Sequence, residues 1–135
     1  MLKGAGFPAC EGWYATVAAP HVTEDPKTAS FAKRYNDKFK QSPDDYTITC
    51  YVAAQVIIDA VKGLVAANKT VDRVTIRDAI QNIKVPNSLL GPIEFDENGD
   101  LKNKIISVFK ITKNASKPLD DPSEQYKYIG VAPAV

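Results

Sequence analysis

The stretch IEFDENGDL, Ile93 to Leu101, sets four carboxylates around an Asn-Gly pair between two apolar runs. It could be a calcium loop, a carboxylate pair for hydrolysis, or only a solvated reversal of the chain. An EF-hand loop opened by Asp96 would take ligands from Asp96, Asn98 and Asp100, then require Gly at its sixth position and Glu at its twelfth. Leu101 and Ser107 occupy those places and Gly99 comes two positions early, so calcium is set aside. On a strand, Glu94 and Asp96 would share a face at a separation of ~6–7 Å, within the range for glycoside hydrolysis. That spacing arises in any strand with alternating acids. No sugar-stacking aromatic platform accompanies it, so the solvated edge is preferred.

Nucleophilic chemistry has little to work with. The single histidine, His21, lies in the loop APHVTEDP, where it could act as base to a Cys50 thiol. A lone loop histidine is more often a surface residue. There is no glycine-rich phosphate loop, no CxxC and no His-rich cluster, so neither an enzyme nor a metal or cofactor site is supported.

Binding remains. Tyr46, Thr47, Thr49 and Tyr51 cluster at the start of an apolar helix. Free backbone N–H groups at a helix N-terminus, hydroxyls and aromatic faces suit a small carboxylate or amino-acid ligand. The plainer alternative puts Tyr51 in the core and makes Thr49 the helix cap. The cap is preferred for Thr49, and both readings stay open for Tyr46.

The elements that must position these residues belong to a chain of one-domain size. Its 135 residues are 44% hydrophobic and 24% charged, ordinary for a soluble globular protein. Seventeen basic and sixteen acidic residues are interspersed for a net charge of +1, with no basic patch for a nucleic acid or an anionic membrane surface. The longest apolar stretch, Tyr51 to Ala67, is interrupted by Gln55, Asp59 and Lys62, too polar to span a bilayer. The opening MLKGAGFPAC lacks the long apolar run of a signal peptide, and Pro8 breaks what there is. Were the protein to work outside the cytoplasm, its export signal would be missing from this chain. Cys10 and Cys50 fit either one disulfide, closing a ~40-residue loop with about 4 kcal/mol of stabilisation, or two buried thiols.

EGWYATVA (Glu11–Ala18) reads as a strand. Asp25 caps a helix with Pro26 at its first position, and Phe31, Tyr35 and Phe39 share one face; Pro43 lies at or past its end. A second helix is expected over roughly Thr49 to Ala67. Ala53, Ile57, Ala60, Val61 and Leu64 form its stripe, widened by Ala54, Ile58 and Val65 beyond an ordinary amphipathic arc. A third, capped by Asp72, buries Val74, Ala79, Ile80 and Ile83. Strands follow at Ile93–Phe95, Lys104–Ile111 and Tyr126–Val131. Three helices and about four scattered strands offer too little to cover the second helix. Part of its covering surface is therefore expected from outside this chain, through a longer protein, an oligomer or a domain swap.

The order of elements resembles the C-terminal part of type I periplasmic solute-binding proteins, the branched-chain amino-acid-binding family of ABC transporters. CEGWYAT looks like the family's "EG" strand. FAKRYNDKFKQSPDDY resembles its helix ending in "KF…P", and YVAAQVIIDAVKGL its "YDA…A" helix. VTIRDAIQNI matches the next helix, and LLGPIEFDENGDLKN looks like its "G-x-(I/V)-x-F-D-x-x-G-D" hairpin. The resemblance is clearest over residues 9–112, with 113–135 a tail.

What it implies is an α/β chain forming the C-terminal part of a two-lobe fold, completed by another chain or a missing N-terminal part. The intact protein would have no catalytic role. Periplasmic or extracellular, it would bind a small amino acid, carboxylate or amide between the lobes and hand it to an ABC permease. Tyr46 falls near a position that lines the cleft in relatives, and Thr47 and Tyr51 join it as candidate ligand contacts. Val52 replaces the aspartate of "YDA", so no polar contact is carried over there. The half holding most of the family's ligand contacts is absent, which implies that this chain alone does not bind as an intact member does. A ligand-sensing domain of a receptor and a stand-alone oligomerisation module are the alternatives.

Overall fold

The computed structural model describes residues 2–21, 26–118 and 125–133. In chain order the elements are α1 Leu2–Ala5, β1 Tyr14–Val17, α2 Pro26–Phe39, α3 Asp45–Ala66 and α4 Arg73–Gln81, then β2 Val85–Ser88, β3 Gly91–Ile93, β4 Ser107–Ile111 and β5 Tyr126–Val131. They divide into two compact units, Met1–His21 with Ile105–Val135, and Val22–Lys104. Asp25, expected to cap α2, lies outside the described residues.

The first unit is a three-stranded antiparallel sheet in the order β1-β4-β5. Tyr14 faces Lys110 and Val17 faces Ser107 on one side of β4. On the other side Ile111 faces Tyr126, and the register shifts between Val108 and Phe109. Buried Ser107, Phe109 and Ile111 alternate with Val108 and Lys110, the period of two that a strand imposes. Ile111 packs with Leu2 and Cys10. The buried Ser107 hydroxyl donates to the Ala19 carbonyl at 2.6 Å. The expected strand at Lys104–Ile111 starts three residues later than the sequence suggests, because pairing with β1 begins only at Ser107.

The second unit is helical around one core. Pro26 opens α2, where its missing N–H has no partner to lose. Two expectations about α3 are corrected. It begins at Asp45, because the side chain of Asp44 and that of Thr47 form a reciprocal cap ahead of it. Thr49 is therefore not the cap, and its hydroxyl donates to the Asp45 carbonyl at 3.4 Å within the first turns. Its buried face is the row Ile48, Val52, Val56, Ala60 and Leu64, whereas Ala53 and Ile57, assigned to the stripe, are exposed. A helix apolar on most sides has no periodicity that selects one face. The choice falls to its partners, here Phe31 and Ile93.

By length and composition alone α3 could cross a bilayer, with a mean hydropathy of 1.6. In this unit the Ile48–Leu64 row is buried, and Asp59 and Lys62 pair across 3.8 Å on the helix surface.

Asp72 caps α4 as its sequence predicts. Ile80 and Ile83 pack against the core, and Ala79 is half-buried. Val74, expected inside, is exposed on the first turn. Strand β2 goes unforeseen because Pro86 argues against a strand; it pairs antiparallel with β3 across Leu89-Leu90. The expected strand Ile93–Phe95 is divided, with Ile93 ending β3 and Phe95 bridging to Leu101. Both side chains join the core, as their shared face requires.

Beyond them Asp96 organises the reversal. Its carboxylate accepts the N–H groups of Asn98 at 2.9 Å and Asp100 at 3.0 Å. Its backbone N–H donates to the Asp100 carbonyl, and Gly99 N–H donates to the Asp96 carbonyl. Gly99 alone takes a positive φ, 84°. The turn is thus a three-residue type I reversal closed by a glycine bulge, and not one that needs positive φ at Asn98 as well.

Candidate ligand-binding groove

Residues 31, 34, 35 and 38 recur at helical spacing, so one face of α2 carries Phe31, Arg34, Tyr35 and Lys38 in line, with Phe39 beyond them. The rings form a chain of tilted contacts: Tyr35 to Phe39 with centroids 4.7 Å apart, Phe31 to Tyr35 at 5.9 Å, and Phe31 to Tyr51 of α3 at 4.9 Å. Such offsets are the ordinary favourable geometry of aromatic pairs. Between this face and the first turns of α3 lies a groove of about 500 Å³, walled on the α3 side by Thr47 and Tyr51. A second groove of about 640 Å³ adjoins it and shares Arg34 and Tyr51. Its other walls mix Ser30, Gln55 and Asn87 with the apolar Pro26 and Leu89. Gln55 donates to the Tyr51 hydroxyl at 3.1 Å, holding that ring between the two halves.

The capping box sets where α3 starts and hence which side chains reach the groove. Thr47 N–H donates to Asp44 Oδ1 at 2.7 Å, and Asp44 N–H donates to Thr47 Oγ1 at 3.2 Å. The Thr47 hydroxyl also donates to that carboxylate at 2.7 Å. It follows that the Thr47 amide is occupied by its own cap and its side chain meets the groove from a fixed position. Of the three residues singled out in sequence, Thr47 and Tyr51 come together here. Tyr46 lines neither groove and is 57% exposed. Tyr51 is 39% exposed while touching Phe31, so core packing and groove lining are both true of it. Sequence reasoning does not single out Arg34, Lys38 and Gln55, although the spacing of 34 and 38 beside Phe31 and Tyr35 is a signal for the first two.

Other residues with chemical potential have structural work. Glu94 pairs with Lys102 at 3.3 Å and Lys84 at 3.8 Å, and Asp100 with Lys104 at 3.5 Å. His21, in the first unit, stacks on Tyr128 with centroids 4.9 Å apart and meets Phe109 edge-on. Both cysteines are free, not joined in a disulfide, and of the two thiols Cys10 is buried while Cys50 is exposed. Among the described residues no three His, Cys, Asp or Glu side chains gather as metal ligands.

A family model described as a periplasmic binding protein matches residues 1–116. A periplasmic binding protein from Burkholderia mallei superimposes with a TM-score of 0.68 at 18% identity, over 98% of this chain and 33% of that one. A leucine-binding protein from Thermotoga maritima gives 0.66 at 25% identity, over 93% and 32%. A solute-binding protein of an ABC transporter from R. palustris, solved with benzoate, gives 0.61 at 20% identity, over 99% and 34%. The chain thus spans about a third of the length of these solved structures. Curated proteins give no match.

Proposed function

The chain belongs to the periplasmic binding protein family, and on that premise we propose that it serves in the extracytoplasmic solute-binding component of an ABC importer. The solute is a small amino acid or related carboxylate or amide, held between two lobes and passed to a permease. The observation that carries this reading is the family match across residues 1–116 of 135. A fold shared with a third of each solved relative supports it. Members of this family bind solutes rather than transform them, and the fold is accordingly read as a carrier without a catalytic role.

Tyr46, Thr47 and Tyr51 are the proposed ligand contacts. Thr47 and Tyr51 already share a wall, and exposed Tyr46 presents its ring one residue before Thr47. Isothermal titration of the intact two-lobe protein with leucine and with benzoate tests the reading. Saturable heat with one of them, weakened about tenfold by Tyr46→Ala as for loss of an aromatic contact, is the expected result. No heat with either ligand counts against it.

A second reading concerns assembly. Ile57, Ile58 and Val65 of α3 are 49%, 51% and 60% exposed. Apolar surface of this kind favours a homo-oligomer or a domain-swapped assembly of the chain. A sedimentation profile that stays monomeric at micromolar concentration would exclude it.

A further inference from the structure

Asn98 is the only asparagine in the chain followed by glycine. The others, Asn36, Asn68, Asn82, Asn87, Asn103 and Asn114, each precede a residue with a side chain. A glycine leaves its own backbone nitrogen unshielded, so that nitrogen can reach the side-chain carbonyl carbon of the asparagine before it. Both residues are exposed on the reversal. The space beside Gly99 is open, for a side chain begun there would meet nothing nearer than Gln81 Oε1 at 3.8 Å. The attacking atom, however, is occupied. Gly99 N–H donates to the Asp96 carbonyl at 3.0 Å, and the Gln81 side-chain amide donates to the same carbonyl. The Asp96 carboxylate holds the amides on either side, those of Asn98 at 2.9 Å and Asp100 at 3.0 Å.

We propose that Asn98 is a site of self-modification, a deamidation through the Gly99 nitrogen that Asp96 holds in check. The Gly99 nitrogen gives its proton to hydroxide and bonds to Cγ of Asn98. The side-chain nitrogen takes a proton from water and leaves as ammonia, which regenerates the hydroxide and closes a cyclic imide. Water then opens the ring at one of its two carbonyls. Breaking the bond to Cγ leaves aspartate; breaking the bond to the former backbone carbonyl leaves isoaspartate, with the main chain running through the side chain. One water is consumed and one ammonia released, with no oxidant or reductant. Two features of the folded turn oppose the first step. The N–H must leave its carbonyl acceptor, and the nitrogen anion must form between two amides that a carboxylate already holds. Isoaspartate adds a carbon to the main chain between those two amides, so Asp96 can no longer hold both. Either product adds a carboxylate to a loop that carries Glu94, Asp96, Glu97 and Asp100. Modification therefore loosens the reversal that brings Phe95 against Leu101.

The test is to age the full chain in mildly alkaline buffer and map its peptides by mass spectrometry, reading the change from amide to acid at each asparagine. A synthetic peptide of Ile93–Leu101 is aged beside it. Asn98 should convert before every other asparagine, and at least about tenfold more slowly in the folded chain than in the peptide. Asp96→Ala, checked by amide exchange to keep α3 protected, should speed the conversion about tenfold. Another asparagine converting first, a folded chain as fast as the peptide, or a folded Asp96→Ala no faster than its parent overturns the proposal. Should Asp96→Ala lose the protection of α3, the comparison of folded chain with peptide decides by itself.

Discussion

Asp44 and Thr47 hold each other at the start of α3, each side chain accepting the other's backbone N–H, at 2.7 Å from Thr47 and 3.2 Å from Asp44. The pair fixes the first residue of the longest helix and the position from which Thr47 and Tyr51 meet α2. Replacing Asp44 by Ala leaves donors of the first turn without a partner and should lower stability by about 1 kcal/mol in urea unfolding. Asp44→Ser, which restores an acceptor, should recover most of it.

The cap of α4 titrates. The backbone N–H of Thr75, then its hydroxyl, and more weakly the N–H of Val74 hold the Asp72 carboxyl below its ordinary value of 3.8. A group whose folded value is depressed contributes stability that is fully present above the unfolded value and lost as pH falls through the folded one. Protection of the Val74 and Thr75 amides against exchange should therefore weaken below pH 3.8. Asp72→Asn, a cap that does not titrate, should show no such step at these two amides.

The two faces of α3 should answer truncation differently. Ile48 is fully buried among Phe31, Val52 and Ile93, and Ile48→Ala should cost about 2–5 kcal/mol through lost burial and the cavity left behind. Ile58 is 51% exposed, and Ile58→Ala should change stability by no more than about 0.5 kcal/mol. Equal losses in denaturant melts would contradict the orientation of the helix.

In the first unit, Ser107→Ala removes the hydroxyl that satisfies the Ala19 carbonyl at 2.6 Å inside the sheet's core. Leaving that carbonyl unpaired should cost about 1–3 kcal/mol, whereas Ser107→Thr keeps the donor and tests the space around it.

At the tip of the reversal, Gly99 holds φ at 84°. Gly99→Ala should destabilise by about 1 kcal/mol because a side chain disfavours that region. Asn98→Ala should have a smaller effect, since positive φ is confined to Gly99. Thermal melts of the two variants separate them.

Where the sequence carries local chemistry, the structure follows it closely. Pro26 opens α2 and Asp72 caps α4, because each depends on neighbours within a few residues. The capping pair Asp44 and Thr47 was equally legible, since an acceptor three residues before a hydroxyl is a recognisable N-terminal signature. Thr49, two residues on, offers a competing cap that the structure does not use. Strand β2 was hidden by a real conflict, for Pro86 cannot donate to a ladder and its place in one depends on the partner strand.

By itself the sequence determined helices α2 to α4, the reversal around Asp96 and the family resemblance, all properties of short spans with their own periodicity or caps. Which side of α3 is buried was decided only by tertiary structure, because the helix is apolar on most sides and Phe31 and Ile93 choose among them. The groove is the same kind of outcome. Arg34 and Tyr51 are seventeen positions apart, beyond the reach of any local pattern. They face one cavity because α2 and α3 pack around a common core.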